Sequence, residues 1–200
     1  MHRRTLLVGL AAIAGAGCVG RGSPEDTDTP AGDDPGDSPL TDDPFADVPC
    51  PAVRERADRH VCYHTLADPE TAPLVLSPGR QRVDWGAAAE VVEPLTFTLH
   101  NRTGAEVGFN WYDWAIHRRT DEGWTRVAPE MIPEPWTSIA ADETYVWSLA
   151  DTEHDPPRED RAHTVVQSLD AGTYAFSVDV QAETGGSTER VACVALFDVR

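Results

Sequence analysis

The feature that most constrains this chain is an alternation of apolar and polar side chains with a period of two, returning again and again between short turns. Leu95-Thr-Phe-Thr-Leu-His100 places Leu95, Phe97 and Leu99 on one face and Thr96, Thr98 and His100 on the other, as a half-buried strand requires. Tyr174, Phe176, Val178 and Val180 repeat the pattern near the C-terminus. No helical stripe longer than about ten residues competes with it. Five tryptophans, Trp111, Trp114, Trp124, Trp136 and Trp147, fall between positions 95 and 149, which therefore form the centre of a β-domain.

In chain order the pattern predicts strands at 61–66, 73–76, 81–85, 95–100, 107–119, 124–127, 143–149, 163–169 and 170–180, and an unbroken apolar, hence central, strand at 191–199. Asn101-Arg-Thr-Gly104 and Asp121-Glu-Gly123 read as turns. The prolines of 128–136 exclude that stretch from a central ladder and make it a crossover. A short helix is expected over 50–60, with Pro51 in its first turn. Short strands at this spacing predict an immunoglobulin-like antiparallel β-sandwich of about seven to nine strands. Leu169-Asp-Ala-Gly-Thr-Tyr174 adds the residue order of a tyrosine corner, in which the phenol bonds back to the backbone between sheets.

The residues Phe97-Thr-Leu-His-Asn101, Gly104, Phe109, Trp111-Tyr112, Gly123-Trp124, Val127 and Leu169-x-x-Gly-x-Tyr174 resemble the immunoglobulin-like domains of secreted bacterial-type lipoproteins. They are closer still to a group of lipoproteins of halophilic archaea. The resemblance implies a fold and a location. Its positions are structural, so it transfers no catalytic residue. Similar small sandwiches include a proteinase-inhibitor type, which supplies an alternative function by analogy.

The N-terminal residues agree with that location. Residues 1–17 have a positive start at Arg3-Arg4 and an apolar run from Leu6 to Gly17, too short to span about 30 Å of hydrocarbon, so they read as a signal peptide of twin-arginine, lipoprotein type. Cys18 then becomes a lipidated N-terminus, and the membrane is a partner through that lipid. Residues 18–48 are rich in Gly, Pro, Asp, Ser and Thr and are expected to be a disordered acidic tether, with the folded domain at 49–200. The expected location is the outer face of the cell membrane.

The net charge is −18, and all 16 basic residues are arginine. Such a surface argues against nucleic acid, which needs basic patches. It suits high salt, because the Debye length is about 3 Å at 1 M and about 30 Å at 0.01 M, so only concentrated salt screens the repulsion among carboxylates. The melting temperature is accordingly expected to fall from molar to millimolar KCl, and an unchanged value would refute this reading.

Chemistry has few footholds. No nucleophile elbow, zinc-protease helix, phosphate loop or dinucleotide fingerprint is present, and His117, His154 and His163 lie beside no nucleophile in sequence, so neither an enzyme nor a cofactor is expected. His60, Cys62 and His64 would alternate on one strand face, where they could hold a soft metal. A disulfide competes for the same residues. Closing Cys50 to Cys62 stabilises by about 3 kcal/mol and Cys62 to Cys193 by about 5 kcal/mol; the first is favoured because Cys193 can rest in an apolar strand. Each aromatic removes about 150–250 Å² from water, so Trp111, Trp124 and Trp147 are assigned to the core. Trp114 and Trp136 flank loops and are candidate binding residues for a cell-surface protein or glycan, with Asp113, Glu130 and Glu134 as nearby cation ligands. The segment 129–136 is the candidate inhibitory loop. Asn101-Arg-Thr103 is an N-glycosylation sequon on an expected surface turn.

Overall fold

The computed structural model describes residues 43–85, 94–151 and 162–200. The chain separates into Met1–Ser38, which lies outside the described residues along with the signal peptide and Cys18, and Pro39–Arg200. Eleven strands occur among the described residues: β1 (Arg59–Cys62), β2 (Leu74–Pro78), β3 (Arg82–Val83), β4 (Leu95–Asn101), β5 (Val107–Thr120), β6 (Gly123–Ala128), β7 (Thr137–Ile139), β8 (Thr144–Ala150), β9 (Ala162–Val166), β10 (Gly172–Thr184) and β11 (Ser187–Val199). They make an all-β sandwich of one seven-stranded and one four-stranded sheet.

The hairpin of β10 and β11 is the spine of the larger sheet, pairing without interruption from Gly172↔Val199 to Thr184↔Ser187. Gly185 and Gly186 close it at φ 60° and 85°, a conformation that matches the strand twist and that side chains disfavour. The larger sheet runs β1-β11-β10-β5-β6, with β3 also on β11 and β7 also on β5; the smaller runs β2-β4-β8-β9. As its apolar run predicts, β11 is a central strand. Three pairings are parallel, β1 and β3 with β11 and β8 with β9, so the sheets are mixed rather than purely antiparallel.

The alternation that marks β4 in the sequence is realised as a burial pattern in which every second residue is enclosed. Its Phe97 stacks on Phe176 at 4.2 Å and meets Phe197 edge-on at 5.4 Å, joining the two sheets through aromatic rings. Trp147 is fully buried between Phe109 and Phe176, and its indole N–H donates to the Trp111 carbonyl at 2.9 Å, so no polar atom is stranded. The tyrosine corner is present: the Tyr174 hydroxyl donates to the Asp170 carbonyl at 2.6 Å.

Several expectations are corrected. Residues 50–60 form no helix; they are extended and turned, because Cys50 is bonded to Cys62 and the Asp58 N–H donates to the Arg190 carbonyl, holding the segment along β11. β1 ends at Cys62, and Tyr63–Thr65 is a single 3-10 turn. Folding begins ahead of residue 49, since Phe45 is buried and Val48 packs beside it. β7 is a strand that the sequence pattern does not announce. Its three residues are too few to display a period.

Candidate functional site

One face of the larger sheet packs into the sandwich, and the other carries a second, smaller apolar layer. On the outer face Ala175 of β10, Val194 and Leu196 of β11 and Cys62 of β1 meet Phe45, Val48, Cys50 and Val53 from the N-terminal segment. The Cys50–Cys62 disulfide, with Cα atoms 5.6 Å apart, staples that segment to β1. The cross-link closes a short loop and stabilises by about 3 kcal/mol.

Arg54 fastens the segment from beneath. Small residues at Ala115, Ala175 and Ser177 leave room for its side chain, which is buried on the sheet. One guanidinium nitrogen donates to Asp113 Oδ1 at 2.7 Å and another to the Asp113 and Ser177 carbonyls at 2.6 and 2.9 Å. Its Nε donates to Ser177 Oγ at 3.1 Å and lies 3.8 Å from Asp179 Oδ1. A bulge makes this possible. β5 pairs with β10 through Trp114↔Val178 and again through Phe109↔Val180, so residues 110–113 stand opposite Asp179 alone and swing Asp113 toward Arg54.

Beside Arg54 the outer face opens into a cleft of about 740 Å³. Arg56, Arg126 and Arg190 project on its walls, His117, Asp179 and Gln181 lie on the sheet beneath, and Trp124 and Trp136 complete the lining. Both β6 and β7 pair with the same edge of β5, at opposite ends, and the proline-rich crossover bridges the gap between them. Asn110 Nδ2 donates to the Pro133 carbonyl at 2.7 Å and fixes the crossover at the cleft mouth. Met131, 82% exposed, and Trp136, 57% exposed, stand on or beside it.

His117 is buried on this floor, and its Nδ1 has no hydrogen-bond partner. Burial, reinforced by the cations Arg54 and Arg126, pulls its pKa down to about 4. The folded pKa is thus depressed below the ordinary 6.5. The corresponding stability is complete above pH 6.5, drains away as the pH falls, and is gone below about 4. Urea titrations across that window are expected to show a loss of about 3 kcal/mol that His117→Gln removes. An identical pH slope in the variant would mean that other groups set it. Burial also raises the Asp179 carboxyl, against the pull of Arg54.

The residues singled out from sequence are distributed as follows. Cys50 and Cys62 pair as favoured, and Cys193 is a free, fully buried thiol whose pKa burial pushes up to about 12. The disulfide takes the Cys62 sulfur from the expected metal trio. His64 lies past the end of β1 with Nε2 2.8 Å from the Val48 carbonyl, so His60, Cys62 and His64 do not converge. Among the described residues no cluster of three or more His, Cys, Asp or Glu is arranged to hold a metal ion.

Trp114 belongs to the core rather than to a binding loop: it is buried and stacked 6.0 Å from Phe176. Trp136 does stand exposed at the cleft. Trp124, assigned to the core, instead packs against the outer layer and lines the cleft. Asp113 is taken up by Arg54, and Glu130 and Glu134 are exposed on the crossover. His163 packs edge-on against Tyr112 at 4.7 Å, and His154 lies outside the described residues.

The sequon fails structurally. Asn101 is fully buried at the end of β4; its Nδ2 donates to the carbonyls of Ala105, Ala140 and Ile139 at 2.7, 2.9 and 3.2 Å. The atom that a glycan would occupy is consumed.

Sequence reasoning missed the cleft arginines altogether. They come from the N-terminal segment, β6 and β11, and no local spacing links them. Compared with known proteins, the chain matches no family model and no curated protein sequence. Among the described residues no helix is long and apolar enough to cross a membrane.

Proposed function

We propose that this chain is an exported lipoprotein, anchored through Cys18 at the outer face of the cell membrane, whose β-sandwich binds a ligand in the outer-sheet cleft without catalysing a reaction. The observation that carries the reading is the cleft itself. In a protein of net charge −18 it gathers Arg56, Arg126 and Arg190, whose guanidinium groups make no ion pair among the described residues, beside the exposed ring of Trp136. Guanidinium groups and aromatic rings are the side chains that dominate binding energy at recognition sites. The lining contains no serine, threonine or cysteine for His117 to activate, and Asp113 and Asp179 face Arg54. That set suits recognition rather than nucleophilic chemistry.

Two measurements test the two halves. Intact mass of the protein from its native membrane is expected to give a chain starting at Cys18 with a lipid increment; an unmodified chain starting at Met1 removes the anchor. The full chain carrying Cys18→Ser, which cannot be lipidated, is expected to sediment with isolated cell-envelope material, and Trp136→Ala in that background to weaken the association. Undiminished association would move the binding site elsewhere.

A further inference from the structure

We propose that the cleft takes a short acidic saccharide, a pyranose bearing a carboxylate or sulfate group. This rests on the reading of the cleft as a binding site and names the chemistry of its ligand.

Three observations converge. The first is the platform. A Cβ built on Gly108 would lie 2.6 Å from Trp136 Cζ2 and 2.9 Å from its Cε2 and Nε1, so the indole rests directly on the β5 backbone where a side chain is missing. One side of the ring is therefore held by the sheet while more than half of the residue stays exposed. A fixed, open aromatic surface is what the apolar C–H face of a sugar ring stacks upon.

The second is charge. Arg56, Arg126 and Arg190 make no ion pair among the described residues; the cleft also holds Glu55, Asp113 and Asp179, the last two facing Arg54. A guanidinium presents a planar fork that matches a carboxylate or sulfate with two parallel hydrogen bonds. A few guanidinium groups gathered in one cleft match one or two anionic groups, as on a short or terminal acidic sugar, and not a nucleic-acid strand, which needs an extended basic patch.

The third is a polar floor with unused capacity. His117 is 7% exposed and its Nδ1 has no partner, and the Gln181 amide makes no side-chain hydrogen bond among the described residues. A buried polar atom without a partner is uncommon in folded proteins. A ring hydroxyl, both donor and acceptor, can satisfy the half-buried Gln181 amide from the cleft.

The experiment is calorimetric titration of the full chain in high KCl with three matched probes: a galacturonic acid tetrasaccharide, its sulfated counterpart and its neutral galactose counterpart. Binding of either anionic probe at least about tenfold tighter than the neutral one is expected, and the tighter of the two names the anion. Arg126→Ala with Arg190→Ala is expected to cost about ten- to hundredfold in affinity for that probe. Trp136→Ala is expected to weaken acidic and neutral sugars alike, and Met131→Ala, outside the lining, to change nothing. Melting temperatures of the variants separate loss of contact from loss of fold. Equal affinity for acidic and neutral probes would overturn the role of the arginines. Failure of all three probes, while envelope association stays sensitive to Trp136→Ala, would overturn the saccharide and leave the binding reading standing. Failure of both would remove the cleft as a site.

Discussion

Arg54→Ala is expected to be among the most damaging single changes in the domain, lowering its stability by about 3–5 kcal/mol, read as a shift in urea midpoint at constant salt. The size follows from what the change leaves behind. Arg54 answers Asp113 Oδ1, the carbonyls of Asp113 and Ser177, and Asp179 at once, all on the outer face of the larger sheet. Removing the cation strands these acceptors under the N-terminal segment, and an unpaired buried charge costs far more than the pair contributes. Burial already raises the Asp179 carboxyl, so without Arg54 it is driven further toward its protonated form. A group raised in the folded state stabilises below its unfolded pKa and loses that contribution as the pH rises through the folded one. The deficit is therefore expected to be full at neutral pH and to shrink in acid. Arg54→Lys keeps the charge without the fork and should fall between wild type and alanine. A neutral-pH midpoint unchanged by Arg54→Ala would mean that the disulfide and Phe45 hold the segment unaided.

Asn101→Ala is expected to cost a similar amount, about 3–5 kcal/mol, although it alters a residue that a sequon scan would place at the surface. The amide bridges Ala105 in the turn after β4 to Ile139 and Ala140 at the end of β7, while Oδ1 accepts from the Thr103 N–H and hydroxyl. Alanine deletes the shared amide and opens a gap in an enclosed site, although the Ala105 and Ala140 carbonyls keep the Thr103 hydroxyl and the Glu143 N–H. Asn101→Asp should be no better, because a carboxylate would face three carbonyl oxygens. Thermal denaturation of the two variants checks the claim, and melting points within a degree or two of wild type would refute it. Intact mass of the folded native protein is expected to carry no hexose at this position.

The contrast between those residues shows what the sequence reveals. Leu95, Phe97 and Leu99 announce their strand because alternation is local and each side chain reports on itself. Tyr174 announces its corner for the same reason, since its acceptor is Asp170, four residues away. Asn101 does not, because its acceptors Ile139 and Ala140 lie 38 and 39 residues on and are brought near by β7. A polar residue in a turn-like context has the same local appearance whether it faces water or closes a network. Residues 50–60 carry helix-compatible side chains, and a disulfide and the edge of β11 override that preference. The cleft was least legible of all. The exposed ring of Trp136 could be anticipated from its prolines, but the arginines opposite it are assembled by sheet order alone.

The position of the disulfide has a mechanical consequence. Tension applied to the chain ahead of Cys50 passes through the sulfur bridge directly into β1 at Cys62, and from there into the parallel pairing of β1 with β11. The eleven residues between the two cysteines are bypassed by that load path. Arg54 and Arg56 sit within this bypassed loop, so load that reaches Cys50 crosses to β1 without pulling on this wall of the cleft.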